Sequence, residues 1–305
     1  MNLQTVKKCI KNPVKIITGL AARGFLNWVP DKTYVKTVYR MKMGKKLDLE
    51  NPQTFNEKLQ WVKLYDRKPV YTRMVDKYEA KGWIAEQVGE EYVIPTIGVW
   101  DSFDQIDKNA LPNEFIMKTT HDSGTFMICT DKSTFNWELA KKRMEKSLRR
   151  TYFYSGREWP YKNVKPRIIC EELLKNEDGK PLSDYKFYCF NGDVRMSHVT
   201  FGRGTEEGLR VNYYDRDLNL LPVQHYKYPP YKGEYIPPKN YEKMVELASV
   251  LSKDTPHVRV DFYEVNDKIY LGELTFFTDG GCGYFTPREF DYTVGSWMKL
   301  PKEEK

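Results

Sequence analysis

The sequence predicts an α/β fold of the α+β type, with helices and antiparallel hairpins in successive parts of the chain. Helical spacing of apolar residues dominates residues 33–88. Strand-like runs joined by turn dipeptides follow, with turns expected at Asn191–Gly192 and Asn266–Asp267. A chain of 305 residues is long enough for two or three lobes around a large core.

The composition favours a soluble protein. The mean hydropathy is −0.67, and no run of 18 apolar residues predicts a membrane span. We expect no signal peptide, since no apolar segment precedes a cleavage site. The five cysteines are scattered without C-x-x-C spacing, which favours reduced thiols in a cytoplasmic compartment. The four histidines are dispersed as well, so a histidine-based metal site is not expected.

Positive charge is concentrated at the N-terminus. The net charge is +7, and residues 1–46 contain nine lysines and two arginines against one acid, Asp31. A helix that begins near Pro13 carries Ile17 and Leu20 at apolar spacing. It either lies on an anionic inner membrane surface or packs on the body with its charges in water, and packing is the preferred interpretation. No nucleic-acid partner is expected, because no recognised motif is present.

Capping, periodicity and turn chemistry predict the individual elements. Thr54 and Glu57 form a capping-box pattern at a helix start. The segment EFIMKTTHDSGTFMICTD predicts a strand, a glycine-containing loop and a second strand, and residues 136–150 predict a basic helix. An apolar strand ends at Glu171 and Glu172, and a further amphipathic helix is predicted for NYEKMVELASVLSKD.

The strands joined at Asn266–Asp267 contain the residues with the clearest chemistry. Asp261 on the first strand and Glu273 on the second can be cross-strand neighbours about 5 Å apart. Two such carboxylates repel unless a cation lies between them, and Mg²⁺ is typically held by one or two carboxylates plus phosphate oxygens. Arg259 projects from the same face as Asp261 and could reach a phosphate. The pattern indicates either a floor for a Mg²⁺–nucleotide or a hairpin with an ion pair on its wet face.

Other segments could also contact a nucleotide. Lys118 precedes a loop in which Ser123 and Gly124 let backbone N–H groups approach a polyphosphate, although an ordinary hairpin has the same pattern. The two glutamates that close the apolar strand could meet a ribose hydroxyl, or be a solvated strand end. Lys186 lies among aromatic residues and needs an anionic partner, for which Asp184 is a candidate.

The order of these segments resembles the ATP-grasp fold, and more specifically the TupA-like ATP-grasp family associated with bacterial surface polysaccharide and teichuronopeptide synthesis. The resemblance extends from about Trp28 to Leu300 and rests on NPQTFNEKLQWVKLYD, DYKFYCFNG and GELTFF. It implies two α/β lobes that grip ATP, preceded by a mainly helical region. The implied parts are a basic helical region (1–70), an N-terminal lobe segment (71–108), a small lobe with a phosphate loop (109–173) and a large lobe with a metal site (174–305).

The resemblance also implies a role for each candidate residue. Lysines and a flexible loop would contact the ATP phosphates, and an interlobe hinge would receive adenine. The implied nucleotide-binding residues are Lys77, Lys118, His121, Ser123, Gly124, Glu171, Glu172, Leu173, Leu174 and Lys186. The implied metal ligands are Asp261, Glu273 and Thr275, where Thr275 replaces an asparagine of related ligases. The implied catalytic residues are Arg259, Arg203 and Arg210.

The implied activity is that of an ATP-dependent carboxylate–amine ligase with ATP and Mg²⁺ as cofactors. A substrate carboxylate would form an acyl phosphate, and an amine would then displace phosphate to give an amide. By resemblance, the carboxylate belongs to a uronic acid of a surface glycan and the amine to an amino acid, in the cytoplasm or at the inner membrane face. The alternatives are a metal-dependent glycosyltransferase using Asp215 and Asp217, an ATP-grasp kinase, and a non-catalytic glycan- or membrane-binding protein.

Overall fold

Two larger antiparallel sheets, one two-stranded sheet and a set of helices make up the part of the chain that the computed structural model describes, namely residues 13–177, 179, 182–202 and 208–301. Residues 1–12 and Arg203 lie outside these ranges. Within them, no helix combines the length and the apolar character needed to cross a bilayer.

The N-terminal part of the chain is helical, which confirms the prediction for residues 33–88. The first five helices are α1 (Pro13–Ala21), α2 (Asp31–Met43), α3 (Phe55–Tyr65), α4 (Val70–Val75) and α5 (Glu79–Val88). The capping box is also confirmed. The Thr54 hydroxyl accepts a hydrogen bond from the Glu57 backbone N–H (3.3 Å), and the Glu57 carboxylate accepts one from the Thr54 N–H (3.0 Å).

The first sheet has four strands in the order β1-β4-β2-β3. They are β1 (Thr96–Trp100), β2 (Phe115–Thr119), β3 (Phe126–Cys129) and β4 (Ile168–Glu171). The predicted basic helix is α6 (Trp137–Leu148), and it is followed by the short α7 (Phe153–Gly156). Side chains of α6, including Ala140 and Met144, pack with Phe115 and Met117 of β2 in a separate core.

The second sheet has five strands in the order β10-β9-β5-β6-β7. They are β5 (Asp184–Phe190), β6 (Asp193–Phe201), β7 (Arg210–Asp215), β9 (Val258–Val265) and β10 (Lys268–Thr275). Short strands β8 (Gln224–His225) and β11 (Phe285–Thr286) pair separately. The remaining helices are α8 (Tyr241–Leu251) and α9 (Phe290–Trp297).

Both predicted two-residue turns are confirmed. Asn191 and Gly192 have φ values of 52° and 86°, and Asn266 and Asp267 have values of 51° and 63°. Two consecutive positive φ values are the signature of the tight turn whose twist matches a hairpin. The turn at Asn266–Asp267 therefore sets the register between β9 and β10.

The helical N-terminal region packs on the five-stranded sheet. Tyr39 of α2 and Phe55 and Leu59 of α3 share one core with Phe187 of β5 and Phe262 of β9. These helices therefore form one wall of the large lobe. Strand β1, which begins at residue 96, belongs to the four-stranded sheet.

Close packing at Gly295 generates a test of this arrangement. A Cβ on Gly295 of α9 would lie 2.2 Å from the Gln53 carbonyl oxygen and 2.8 Å from the Phe55 nitrogen, at the start of α3. Backbone must then move, so we expect Gly295→Ala to lower the free energy of unfolding by about 1–3 kcal/mol. The control is Gly19→Ala in α1, where a Cβ meets nothing within 4 Å and alanine favours the helix. Urea unfolding measures the free energy of unfolding of both variants, and equal changes in the two would contradict the close packing at Gly295.

Candidate active site

The centre of the site is set by strand order. Strand β9 lies between β10 and β5, so that Asp261 is opposite Glu273 on one side and Lys186 on the other. Directly opposite residues of antiparallel strands share a face. The register shifts between Leu271 and Glu273, and this bulge places Glu273, instead of Gly272, opposite Asp261. The predicted cross-strand neighbours are therefore adjacent.

Asp261 is buried, and both of its carboxylate oxygens accept hydrogen bonds from cationic side chains. Its Oδ1 accepts a hydrogen bond from Arg259 Nε (2.6 Å), and its Oδ2 accepts from Arg259 Nη2 (2.6 Å) and Lys186 Nζ (2.5 Å). Burial alone would raise the pKa of Asp261, but attraction to Arg259 and Lys186 outweighs it and lowers the pKa well below its ordinary value. Lys186 also contacts Asp184 at 3.2 Å. The anionic partner expected for Lys186 is thus chiefly Asp261.

Glu273 differs from Asp261 because its side chain is partly exposed to solvent. Its side chain is 48% exposed. Its Oε1 accepts hydrogen bonds from Arg259 Nη2 (3.2 Å) and the Thr275 hydroxyl (3.3 Å). The Thr275 hydroxyl itself accepts from Arg259 Nη2 at 3.1 Å. Arg259 therefore links the three candidate metal ligands, and the Oε2 of Glu273 is left facing outward without a hydrogen bond among the described residues.

Lys77 is influenced by charged groups from both sheets. It follows α4, and its ammonium donates to the Asp122 carbonyl oxygen. Burial lowers the pKa of Lys77, while the charges of Glu273, Asp122 and Glu171 oppose that effect. Lys77 thus interacts electrostatically with Glu273 of the large sheet and with Glu171 of the small sheet.

The loop between β2 and β3 is organised by Asp122, which sequence reasoning missed. Its carboxylate accepts hydrogen bonds from the hydroxyls of Thr119 (2.7 Å), Ser147 (2.6 Å) and Thr125 (2.5 Å). Two of these hydroxyls belong to the ends of the loop, and the third belongs to Ser147 of α6. Asp122 therefore fixes the two ends of the predicted phosphate loop.

The predicted residues of this loop have different environments. Ser123 and Gly124 are exposed at its tip. Gly124 has a φ of 87°, and a Cβ there would meet nothing within 4 Å. In contrast, His121 is buried, and its Nε2 lies 3.1 Å from the Ser147 carbonyl oxygen. His121 is thus in the interior of the small lobe, and the exposed tip is what remains accessible to phosphate.

Glu171 binds two lysines. Its Oε2 contacts Lys118 Nζ at 2.5 Å, and its Oε1 contacts Lys81 Nζ at 2.7 Å. Burial would raise the pKa of Glu171, but Lys118 and Lys81 together lower it. The strand-end carboxylate is therefore paired and not solvated. Lys81, on α5, was missed because a lysine on an amphipathic helix is usually solvated.

The chain passes from the small sheet to the large sheet directly after Glu171. The Glu172 side chain is exposed, and its backbone N–H donates to the Pro95 carbonyl (3.1 Å). Leu173 and Leu174 are half-buried in this extended connection, which leads from β4 to β5. The predicted hinge residues thus lie where the two sheets are joined.

Of the other two implied catalytic arginines, Arg210 is not near Arg259 in the sheet order. Arg210 begins β7, the far edge strand, which β5 and β6 separate from β9. Arg203 lies outside the described residues.

Asp215 and Asp217, which the glycosyltransferase hypothesis would use, lie in a turn. The Asp215 carboxylate accepts hydrogen bonds from the N–H groups of Asp217 (2.9 Å) and Asn219 (2.8 Å) and from the Asn219 amide (2.9 Å). The hairpin-turn interpretation of this D-x-D pattern therefore accounts for it.

A cavity of about 400 Å³ adjoins the open side of Glu273. Its floor includes Arg259, Glu273 and Thr275, and Ser123 of the phosphate loop borders it. The helical N-terminal region supplies another wall. Lining residues that sequence reasoning missed are Tyr34, Tyr39, Lys42, Lys63, Tyr152, Glu158, Tyr161 and Asp279. They come from distant segments, so no local motif signals them.

The donor atoms at the floor fit a divalent cation that arrives with phosphates. All candidate ligand atoms are oxygens, which suits Mg²⁺. Among the described residues, no three acidic, histidine or cysteine side chains are grouped to hold a metal alone. Glu273 has an open oxygen, whereas both oxygens of Asp261 are bound to cations. Glu273 is thus the better-placed ligand, and Asp261 would have to exchange a contact.

Comparison with protein families identifies the class. The family model described as TupA-like ATPgrasp matches residues 57–299, and no curated protein matches. Solved structures with weak similarity include the ATP-grasp ligase PsnB complexed with minimal precursor (10% identity, 69% of this chain and 55% of that chain, TM-score 0.38) and D-cycloserine synthetase DcsG (15%, 76% and 72%, 0.40). A third is D-alanine–D-alanine ligase from Bacillus anthracis (14%, 67% and 57%, 0.35).

The fold is that of an ATP-grasp protein, a class of enzymes that use ATP and Mg²⁺. This assignment rests on the family match, because the TM-scores are all below 0.5 and the chain spans only 55% of the PsnB chain. The chain belongs to the TupA-like ATP-grasp family.

The contrast between the two carboxylates generates a stability test. Asp261→Asn leaves Arg259 and Lys186 buried without their anion, so we expect a loss of about 3–5 kcal/mol in the free energy of unfolding at pH 7. The lowered pKa of Asp261 means that this stabilisation is present at neutral pH and is lost only as the pH falls through that pKa.

Glu273→Gln is the matched control, because Glu273 is half exposed and makes one ion-pair contact. We expect a loss below about 1 kcal/mol. Guanidinium unfolding measures the loss in the free energy of unfolding for both variants. A larger loss for Glu273→Gln than for Asp261→Asn would contradict the assigned roles.

Proposed function

We propose that the protein is an ATP-dependent ligase that joins a carboxylate to an amine through an acyl phosphate. One observation carries the proposal within this family. Arg259 and Glu273, from two neighbouring strands, line one cavity that Ser123 also borders, and the charge of Glu273 acts on Lys77 at the end of α4. Cationic side chains beside a polar cavity suit a reaction that positions a triphosphate against a second substrate.

The residues would act mainly through charge. Lys77, with Lys118 released from part of its pairing to Glu171, would neutralise the triphosphate, and Ser123 and Gly124 would border it. Glu273, assisted by Asp261 and Thr275, would hold a Mg²⁺ that neutralises phosphate charge. Arg259 would stabilise the negative charge that develops when the substrate carboxylate meets the γ-phosphoryl group. Residues 171–174 would receive adenine at the hinge.

We also propose the finer identity of the substrates. The carboxylate belongs to a uronic acid of a bacterial surface polysaccharide, and the amine to an amino acid. Family membership supports this proposal, and the cavity volume of about 400 Å³ suits a small amine more than a polymer.

The N-terminal region further supports a peripheral membrane contact. Ile17 and Ala21 of α1 pack against Tyr34 and Val38, so the helix is docked on the body as preferred from the sequence. However, Phe25 is 65% exposed and Trp28 is 80% exposed. Beside them, a groove of about 850 Å³ is lined by six basic residues against two acids: Arg23, Lys141, Lys142, Lys146, Arg149 and Arg150 against Glu138 and Glu145. Exposed aromatic residues next to positive charge suit an anionic bilayer.

Nucleotide binding tests the proposed function first. Calorimetric titration with a non-hydrolysable ATP analogue should show affinity that requires Mg²⁺. Glu273→Gln should weaken it about tenfold or more, which corresponds to 1.4 kcal/mol, because the open carboxylate is lost.

Asp215→Asn is the control and should bind as the wild type does. Mg²⁺-dependent binding of a UDP-sugar that is lost in Asp215→Asn would favour the glycosyltransferase instead. In turnover assays with ATP, phosphate kept on the product would indicate a kinase, whereas amide, ADP and inorganic phosphate indicate the ligase.

Vesicle sedimentation tests the membrane contact. The wild type should sediment with vesicles of phosphatidylglycerol and phosphatidylcholine, and less with phosphatidylcholine alone, because the groove is basic. Replacing Phe25 and Trp28 by serine should remove most of the binding. The control is Ile236→Ser, since Ile236 is 76% exposed elsewhere. Equal sedimentation of the wild type and the double variant would refute the contact.

A further inference from the structure

Glu158 is a buried carboxylate without a polar contact. Only 9% of the residue is exposed, and it lines the cavity beside Glu273. It precedes the 3₁₀ helix Trp159–Asn163 at the capping position, yet its side chain does not cap that helix. Among the described residues, no hydrogen bond or ion pair reaches its carboxylate. An unpaired buried carboxylate is costly, so its retention in a cavity wall points to a ligand.

The space around Glu158 is kept open by glycine. A Cβ on Gly156 would lie 2.9 Å from the Glu158 Oε1, and one on Gly280 would lie 3.6 Å from the same atom. Both glycines also line the cavity. The absence of side chains there leaves one face of the carboxylate accessible from the cavity.

Two lysines give the same cavity positive charge. Lys63 is buried and donates to Gln60 Oε1 (3.0 Å) and the Gly280 carbonyl (2.8 Å). No carboxylate of the described residues lies within ion-pair distance of Lys63, and the same holds for Lys42. Burial raises the pKa of Glu158, and the charges of Lys63 and Lys42 oppose it. The lysines therefore act on Glu158 across the cavity and not by direct contact.

Two tyrosines line the cavity together with Glu158 and Glu273. The rings of Tyr152 and Tyr161 pack edge to face with centroids 4.8 Å apart. The charges of both Glu158 and Glu273 raise the pKa of Tyr152 and of Tyr161; for Tyr152 the largest cause is Glu158, and for Tyr161 it is burial. The tyrosine pair and the two carboxylates line the same cavity, so Glu158 shares a cavity with the floor where an acyl phosphate would form.

We propose that Glu158 binds the ammonium group of the amine substrate and accepts a proton from it, and that Lys42 with Lys63 selects an amine that also has a carboxylate. This inference rests on the proposed ligase function and assigns the amine subsite within it. A zwitterionic amino acid matches both charges of the cavity, whereas a simple alkylamine matches only one.

In the proposed step, the amine nitrogen loses two protons and replaces the phosphate oxygen on the carbonyl carbon. The ammonium gives one proton to Glu158, and the freed nitrogen lone pair forms a bond to the carbonyl carbon of the acyl phosphate. The bond from that carbon to the phosphate oxygen breaks, and phosphate leaves with the electron pair. The nitrogen's second surplus proton leaves with the phosphate, so that an amide and inorganic phosphate remain.

Binding is tested first, with each of the twenty amino acids and their carboxamides as probes in thermal-shift measurements. We expect at least one amino acid to raise the Tm of the wild type more than its carboxamide does. Glu158→Gln and Lys42→Met should each abolish this difference, while Glu289→Gln, an exposed control, should keep it. A wild type that no amino acid stabilises, or a Glu158→Gln variant that responds normally, would overturn the inference.

The proton-accepting role is tested with hydroxylamine, which attacks acyl phosphates without needing a base. With ATP, Mg²⁺, glucuronate and the amino acid found above, Glu158→Gln should form amide about a hundredfold or more slowly. Its hydroxamate formation with hydroxylamine should stay within about twofold of the wild type. Equal losses in both assays would overturn the role and indicate a structural defect.

Failure of the ligase function would look different. In that case the wild type would form neither amide nor hydroxamate, and the proton-accepting role would fall with it. The amino-acid binding measured by thermal shift would still decide whether Glu158 and Lys42 form a subsite.

Discussion

The ion-pair network around Asp261 is the interaction on which the rest of the site depends. Arg259 and Lys186 place two positive charges in the interior of the five-stranded sheet, and Asp261 offsets them from the middle strand. Buried charges are tolerated only when such pairing is nearly complete. Because Asp261 satisfies the buried side of Arg259, the guanidinium can also reach Glu273 and Thr275 at the surface of the cavity. One internal interaction thereby fixes the orientation of the accessible groups.

A similar division between structural and accessible groups recurs in the small lobe. Asp122 binds the hydroxyls at both ends of its loop, which leaves the exposed tip at Ser123 and Gly124 available. Glu171 pairs with two lysines at the end of β4. A triphosphate could compete with Glu171 for these lysines, since phosphate offers stronger negative charge. Pairing with Glu171 therefore holds both lysine side chains in place.

The helical N-terminal region contributes to both the core of the large lobe and the cavity. Its helices share the core of the large lobe and line the cavity next to Glu273. Lys42 and Lys63 come from α2 and α3, whereas Glu158 comes from the segment between α7 and the small sheet's last strand. The proposed amine subsite is thus separate from the proposed nucleotide-binding residues. This separation is consistent with a shared nucleotide chemistry and a family-specific substrate.

The sequence by itself determined the local structure and the cross-strand position of two candidate site residues. The capping box at Thr54, the turn at Asn266–Asp267 and the opposed pair of Asp261 and Glu273 follow from short-range rules of capping, turn chemistry and strand alternation. Only the tertiary structure decided which carboxylate is saturated, that Lys81 shares Glu171, and that Glu158 faces Lys42 and Lys63 across a cavity. Those facts depend on packing between segments far apart in the chain, and local periodicity contains no information about such contacts.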